Sequence, residues 1–132
     1  MAAGRGRQPF SALVRRLRRR PSYTVRGKLI PDVTPADAVE AMRNGAVLLD
    51  VREPFEVATA GIDGALHIPM GTIVSRIDDI PRHARVLCLC HHGGRSAQVA
   101  GYLAGQGYDV ANVAGGIDRW SITVDPEVPR YA

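Results

Sequence analysis

The sequence contains few cysteines and no long apolar run, and both absences exclude classes of protein. Cys88 and Cys90 are the two cysteines among 132 residues, too few for a secreted module held together by disulfides. One residue separates them, so a disulfide between them would be strained. We therefore expect reduced thiols and a cytoplasmic location. No apolar stretch approaches the ~20 residues of a membrane span, which excludes an integral membrane protein.

Acidic residues are absent from the N-terminal segment. Residues 1–28 contain 9 of the 17 Lys and Arg residues and no Asp or Glu. The rest of the chain carries 8 basic and 13 acidic side chains, a formal charge of −5. The overall charge of +4 therefore reflects the segment, and the body offers no basic face for nucleic acid.

The basic segment also has the apolar spacing of an amphipathic helix, with one stripe formed by Phe10, Leu13, Val14 and Leu17. Three interpretations remain open. The segment is a solvated or loosely docked extension, a helix in weak contact with an anionic membrane surface, or an organellar targeting segment. We divide the chain into a basic Arg-rich extension at residues 1–28 and a folded domain at residues 29–132.

Short apolar runs alternate with helical patterns from Leu29 onward. The runs typical of buried parallel strands lie at residues 46–50, 65–68, 85–89 and 109–113. Thr34 followed by Pro35 has the form of a helix N-terminus, a second helical turn begins at Glu53, and a third helix is predicted over residues 96–105. This alternation predicts an α/β domain with a parallel sheet covered on both faces.

The residues that carry chemistry lie in one loop between a buried strand and a helix, Cys90-His91-His92-Gly93-Gly94-Arg95-Ser96. Ligands of open α/β sheets bind at the carboxyl ends of strands, where a helix N-terminus offers unpaired N–H groups. Gly93 and Gly94 permit a positive φ that turns amides inward to form an anion-binding nest. A cysteine at such a nest favours its thiolate form, so Cys90 is the predicted nucleophile. Arg95 is expected either to bind an anionic substrate through two parallel hydrogen bonds or to stabilise the thiolate with its positive charge.

The neighbouring thiol and imidazoles have less specific patterns. Cys88 lies inside an apolar strand, where a structural cysteine is expected. His91 and His92 are expected to line the mouth of the loop. We predict no metal site, because Cys-x-Cys-His-His lacks the spacing of zinc ligands and has no second cluster. No cofactor is expected either, since the sequence has no phosphate loop or dinucleotide fingerprint.

The loop pattern Cys90-x-x-Gly93-x-Arg95-Ser96 resembles the active-site loop of rhodanese-type sulfurtransferases. Three further segments resemble that family in the same order: Leu49-Asp50-Val51-Arg52, Gly64-Ala65-Leu66-His67-Ile68-Pro69 and Gly115-Gly116-Ile117-Asp118-Arg119-Trp120. The resemblance covers about residues 31–132. The ending from Trp120 to Tyr131 is similar to rhodanese domains fused behind adenylating enzymes that activate sulfur-carrier proteins. One departure is Ala60-Gly61-Ile62, where the family usually has Gly-His-Ile; it puts local packing in doubt more than catalysis.

The resemblance implies a rhodanese-like three-layer α/β fold, with a mostly parallel central sheet of about five strands and helices on both faces. It implies a thiosulfate sulfurtransferase in which a Cys90 persulfide carries sulfur from thiosulfate to cyanide, a thiol or a sulfur-carrier protein. Arg95 would orient the donor, and the loop amides of His91, His92, Gly93, Gly94 and Ser96 would hold the persulfide. Asp50 and Arg52 would form a structural pair, and Trp120 would lie in the core.

Two other functional classes remain open from the sequence. One is a binding module that presents its anion nest without turnover. The other is an enzyme related to phosphatases or arsenate reductases. Loop length argues against the second class, because four residues separate Cys90 from Arg95, whereas cell-cycle-type phosphatases have five. The smaller ring of amides suits sulfane sulfur better than a phosphate tetrahedron.

Overall fold

The computed structural model describes residues 22–25 and 27–132, and the helix predicted around residues 10–17 lies outside them. The described strands form one sheet of six, in the order β1-β2-β6-β5-β3-β4. The element bounds are β1 Ser22–Val25, β2 Lys28–Val33, α1 Pro35–Arg43, β3 Val47–Asp50, α2 Pro54–Thr59, β4 Leu66–His67, β5 Val86–Leu89, α3 Gly94–Gly105, β6 Val110–Val113 and α4 Gly116–Thr123. Two short 3₁₀ turns, Met70–Thr72 and Ile77–Asp79, lie between β4 and β5.

The predicted helix start at Thr34 is confirmed. The Thr34 hydroxyl accepts a hydrogen bond from the Asp37 amide at 3.1 Å, with Pro35 in the first turn of α1. Helix α1 ends at Arg43, and Gly45 follows with φ of 99°, a conformation that favours glycine. The helix of the first crossover therefore begins where the sequence pattern predicts.

The side chains of β5 point alternately to the two faces of the sheet, and each face is covered by its own apolar cluster. Because successive side chains of a strand point to opposite faces, Val86 and Cys88 join the apolar cluster under α3. Leu87 and Leu89 join the opposite cluster, which also holds Trp120, 3% exposed. Strand β5 pairs in parallel with β3 and β6, so its carboxyl end, where the Cys90 loop begins, lies in the middle of the sheet.

The sheet has six strands where about five were expected, and the additional strand lies in the predicted extension. Strand β1 pairs antiparallel with β2, and Gly27, just before β2, has φ of 80°. Tyr23 donates a hydrogen bond to the Ala97 carbonyl at 2.9 Å. Val25 packs against Gly101, where a Cβ would lie 2.5 Å from a Val25 methyl. Residues Ser22–Val25, which lie within the predicted extension, therefore form the edge strand of the sheet.

Helix α4 is not among the elements that the sequence pattern predicts, and it begins at the glycine pair Gly115-Gly116. Both glycines have positive φ, 79° and 61°, and the helix starts at the second of them. Helix α3 starts at Gly94, two residues before the predicted start. No helix in the described part of the chain has the length and apolar character needed to cross a membrane.

Candidate active site

The Cys90 sulfur lies inside a ring of hydrogen-bond donors, immediately after β5. Its Sγ accepts from the amides of Gly93 at 3.1 Å and Ser96 at 3.3 Å, and from the Ser96 hydroxyl at 3.2 Å. Gly93 has φ of 113°, which turns the loop toward the sulfur, whereas Gly94 has an ordinary φ in the first turn of α3. Donors aimed at one atom stabilise negative charge there, so this arrangement suits a thiolate or a persulfide.

The Ser96 hydroxyl has one proton and three acceptors within reach. They are Asn112 Oδ1 at 2.6 Å, Cys90 Sγ at 3.2 Å and the Gly93 carbonyl at 3.3 Å. The Asn112 amide in turn donates to the Gly93 carbonyl at 3.1 Å and to Asp32 Oδ1 at 3.2 Å. The hydroxyl can therefore turn toward the sulfur when the sulfur is charged and toward Asn112 when it is not.

Cys88 has the environment of a structural residue. It is fully buried within β5, and burial raises the pKa of its thiol to about 12. A thiol with so high a pKa has almost no thiolate at neutral pH and is a poor nucleophile.

Arg95 is held by Glu56, a residue that the sequence did not single out. Arg95 Nη1 lies 2.7 Å from Glu56 Oε1, and Nη2 lies 2.9 Å from Oε2. Glu56 is buried at the start of α2, and its hydrogen bonds with Arg95 lower the pKa of its carboxyl to about 2. Both terminal nitrogens of Arg95 are thus engaged, while its positive charge still interacts with the Cys90 sulfur.

Tyr131 completes this network from the C-terminal segment. Its hydroxyl donates to Glu56 Oε2 at 2.9 Å and accepts from Arg52 Nη1 at 3.0 Å. Its ring stacks on His91 with 4.0 Å between centroids. Tyr131 therefore links the carboxylate that holds Arg95 with the loop that carries Cys90.

Asp50 and Arg52 form the structural pair expected from the sequence. Arg52 is completely buried and donates to both Asp50 oxygens, at 2.9 and 2.6 Å. It also donates to the Ala60 carbonyl at 2.7 Å, so the segment that departs from the family pattern is held through its backbone. A guanidinium with this many acceptors has its burial compensated.

The two loop histidines lie next to Cys90 and stack on one another, with 3.9 Å between ring centroids. His91 Nε2 lies 2.9 Å from the Tyr131 carbonyl oxygen, and because a carbonyl only accepts, this nitrogen carries the proton. His91 is half-buried and His92 is exposed.

Helix α4 packs its first turn directly against the loop. The Ile117 amide donates to the Cys90 carbonyl at 2.9 Å, and the Asp118 amide donates to the His91 carbonyl at 3.2 Å. A Cβ on Gly116 would lie 2.5 Å from the Cys90 carbonyl oxygen, so glycine is required for this close approach. The loop is thus fixed by α3 on one side and by α4 on the other.

Comparison with known proteins agrees with this geometry. The family model described as the Rhodanese-like domain matches residues 34–123. The chain is 36% identical over 100 residues to the thiosulfate sulfurtransferase GlpE of Pseudomonas putida, covering 74% of this chain and 91% of the relative. It therefore belongs to the rhodanese-like domain family.

Two solved structures are similar to this fold. Reduced CoADR-RHD of Bacillus anthracis superposes with a TM-score of 0.70 at 32% identity, covering 77% of this chain and 18% of the larger protein. A rhodanese-like domain protein of Staphylococcus aureus has a TM-score of 0.67 at 28% identity, covering 78% of this chain and all of its own. The three-layer fold with a mostly parallel sheet is thereby confirmed.

Proposed function

We propose that the protein transfers sulfane sulfur from thiosulfate, or a similar donor, through a persulfide on Cys90 to a thiophilic acceptor. Its enzyme class is that of the rhodanese-like sulfurtransferases, and the curated relatives that are 34% and 36% identical to the chain carry the name thiosulfate sulfurtransferase GlpE. The observation that carries the proposal is the ring formed by the Gly93 amide, the Ser96 amide and the Ser96 hydroxyl around the Cys90 sulfur.

In the first half-reaction, the Cys90 thiolate attacks the outer sulfur of thiosulfate. A new S–S bond forms at Cys90, the S–S bond of the donor breaks, and sulfite departs with the electron pair. The negative charge then lies on the outer sulfur of the persulfide. The amides of His91, His92 and Gly94 are proposed to meet this outer atom, while those of Gly93 and Ser96 stay with the inner one.

In the second half-reaction, an acceptor attacks the outer sulfur and releases Cys90 as a thiolate. Cyanide gives thiocyanate, and a thiol gives a new persulfide. A sulfur-carrier protein is a further proposed acceptor. The donors around Sγ favour this step because they stabilise the departing thiolate.

Arg95 is proposed to act mainly through its charge. To bind thiosulfate through two hydrogen bonds, Arg95 would have to release Glu56, because both of its terminal nitrogens now donate to that carboxylate. The positive charge of Arg95 interacts with the Cys90 sulfur and attracts an anionic donor to it. A reducing, cytoplasmic setting is proposed as well, because Cys88 and Cys90 are free thiols.

The experiment that tests the proposal is intact mass measurement after incubation with thiosulfate. We expect the mass of one added sulfur atom, reversed by cyanide with release of thiocyanate, and no addition to Cys90→Ser. A folded wild-type protein that gains no sulfur would contradict the proposal and favour a binding module. Hydrolysis of an aryl phosphate without sulfur transfer would favour the phosphatase-like alternative.

A further inference from the structure

His91, His92 and Asp118 come together beside the Cys90 loop. One potential ligand atom from each lies within 4.8 Å of the other two. Two imidazole nitrogens and one carboxylate oxygen form the donor set of zinc sites that keep an open coordination position. We propose that these three residues bind a divalent transition-metal ion, with Zn²⁺ as the representative ion. The proposal concerns the side chains of the two loop histidines and does not rest on the sulfur chemistry proposed above, which uses their backbone amides.

The backbone already holds the three residues together. The Asp118 amide donates to the His91 carbonyl at 3.2 Å, and the Ile117 amide donates to the Cys90 carbonyl at 2.9 Å. These bonds fix the first turn of α4 against the loop that carries both histidines. Binding therefore requires little ordering of the backbone, which lowers its entropic cost.

The hydrogen bond of His91 leaves a nitrogen free for a metal. Since Nε2 donates its proton to the Tyr131 carbonyl at 2.9 Å, Nδ1 of neutral His91 keeps its lone pair. Metal-binding histidines commonly donate their other N–H to a backbone carbonyl, which fixes the tautomer and the ring orientation. The His91 ring also lies between two other rings, with centroid distances of 3.9 Å to His92 and 4.0 Å to Tyr131. This stacking further restrains its orientation.

Asp118 contributes the charge, and Arg130 competes for it. Arg130 Nε lies 2.8 Å from Asp118 Oδ1, and Nη2 lies 3.2 Å from Oδ2. The Arg130 side chain is 59% exposed, so an ion can replace it at a small cost.

The decisive experiment is a titration of the full chain carrying Cys90→Ser, in which the reactive thiol cannot act as a ligand. Zn²⁺ binding is followed by calorimetry, and Co²⁺ is used as an optical probe of the ligand set. We expect one ion per chain. His92→Ala and Asp118→Asn should each weaken binding about tenfold or more, because the first removes a ligand and the second replaces the anionic carboxylate with a neutral amide.

Two further variants sharpen the test. His83→Ala removes an exposed histidine outside the cluster and should leave the affinity unchanged. Arg130→Ala should tighten binding several-fold, because it removes the competitor for Asp118. Circular dichroism establishes that each variant is folded. The proposal would be overturned if no saturable binding occurred, or if Asp118→Asn, His92→Ala and His83→Ala all bound with equal affinity. Sulfur addition to Cys90 is tested independently by mass measurement on the wild-type protein, so failure of one proposal does not imply failure of the other.

Discussion

The carboxylate of Glu56 determines what Arg95 can do. It is 7% exposed and receives hydrogen bonds from Arg95, from the Tyr131 hydroxyl and from the Glu53 amide. A guanidinium paired through both terminal nitrogens is held in one rotamer. Its charge remains near the Cys90 loop, but its capacity to bind an oxyanion is taken by a residue of the same chain.

Glu56→Gln tests whether Glu56 competes with the anionic donor for Arg95. We expect the KM for thiosulfate to fall by about fivefold, because removing one negative charge near a dianionic donor is worth on the order of 1 kcal/mol. The measurement is steady-state thiosulfate–cyanide kinetics. Glu40→Gln, on the exposed part of α1, is the matched control and should leave KM unchanged. A higher KM in Glu56→Gln would instead mean that Glu56 holds Arg95 in its donor-binding position.

The two cysteines should differ sharply when substituted. We expect Cys90→Ser to abolish sulfur transfer without unfolding the protein, because only Cys90 among them has amides directed at its sulfur. Cys88→Ala should keep most of the activity and lose about 1 kcal/mol of unfolding free energy from the small cavity. Kinetics and urea unfolding on both variants provide the check. Equal loss of activity in the two folded variants would contradict these roles.

At the scale of elements, the contact between α4 and the loop depends on one glycine. Gly116 has φ of 61°, and its neighbours are the backbone atoms of Cys90 and His91, which cannot yield as a flexible side chain would. Gly116→Ala should therefore cost about 1–3 kcal/mol of unfolding free energy and lower activity by displacing the loop.

Gly94→Ala is the matched control for this element. A Cβ on Gly94 has nothing within 4 Å, and its φ is ordinary, so stability should stay the same or rise slightly. Urea unfolding and steady-state kinetics on the two variants make the comparison. If both alanines had the same effect, the close approach of α4 would not be what requires glycine at 116.

The elements found from the sequence are those with local signals. The Thr34-Pro35 helix start, the apolar strands around Leu48 and Leu87, and the glycine-rich Cys90 loop each depend on residues close together in the chain. Strand β1 lacks such a signal, because its burial comes from packing Val25 against Gly101, which lies in a distant helix.

The partners of the loop escaped prediction for the same reason. Glu56 follows a helix start and has the pattern of a solvated acid; nothing near it in the chain indicates Arg95. Asn112 and Asp32 become neighbours only through the parallel pairing of β6 with β2. Asp118 joins the two loop histidines only because α4 packs on the loop, so the spacing of cysteines and histidines argued against a metal site.

At the scale of the whole molecule, the Glu56 network makes the free energy of unfolding depend on pH in the acidic range. The pKa of Glu56 is lowered from 4.5 to about 2 in the folded protein. Its stabilising contribution is therefore complete above the unfolded pKa and is lost as the pH falls from about 4.5 toward 2. We expect about 1–3 kcal/mol of unfolding free energy to be lost over that range through this group.

The measurement is urea unfolding at pH 3 and pH 6 for wild type and Glu56→Gln. The difference in unfolding free energy between the two proteins should be large at pH 6 and smaller at pH 3. A difference that does not change with pH would show that the carboxylate makes no charge-dependent contribution.

The pairing of β2 with β6 has a consequence for the chain while it folds. It joins Asp32 and Asn112, which are 80 positions apart, and closing so long a loop carries an entropic cost that slows folding. Cys90 is 1% exposed in the folded protein, whereas its thiol is open to solvent in the unfolded chain. A chain that has not yet folded therefore leaves its Cys90 thiol accessible to peroxide, which oxidises thiols first to the sulfenic and then to the sulfinic acid. We therefore expect peroxide to oxidise Cys90 faster in the unfolded chain than in the folded protein, where the residue is almost completely buried.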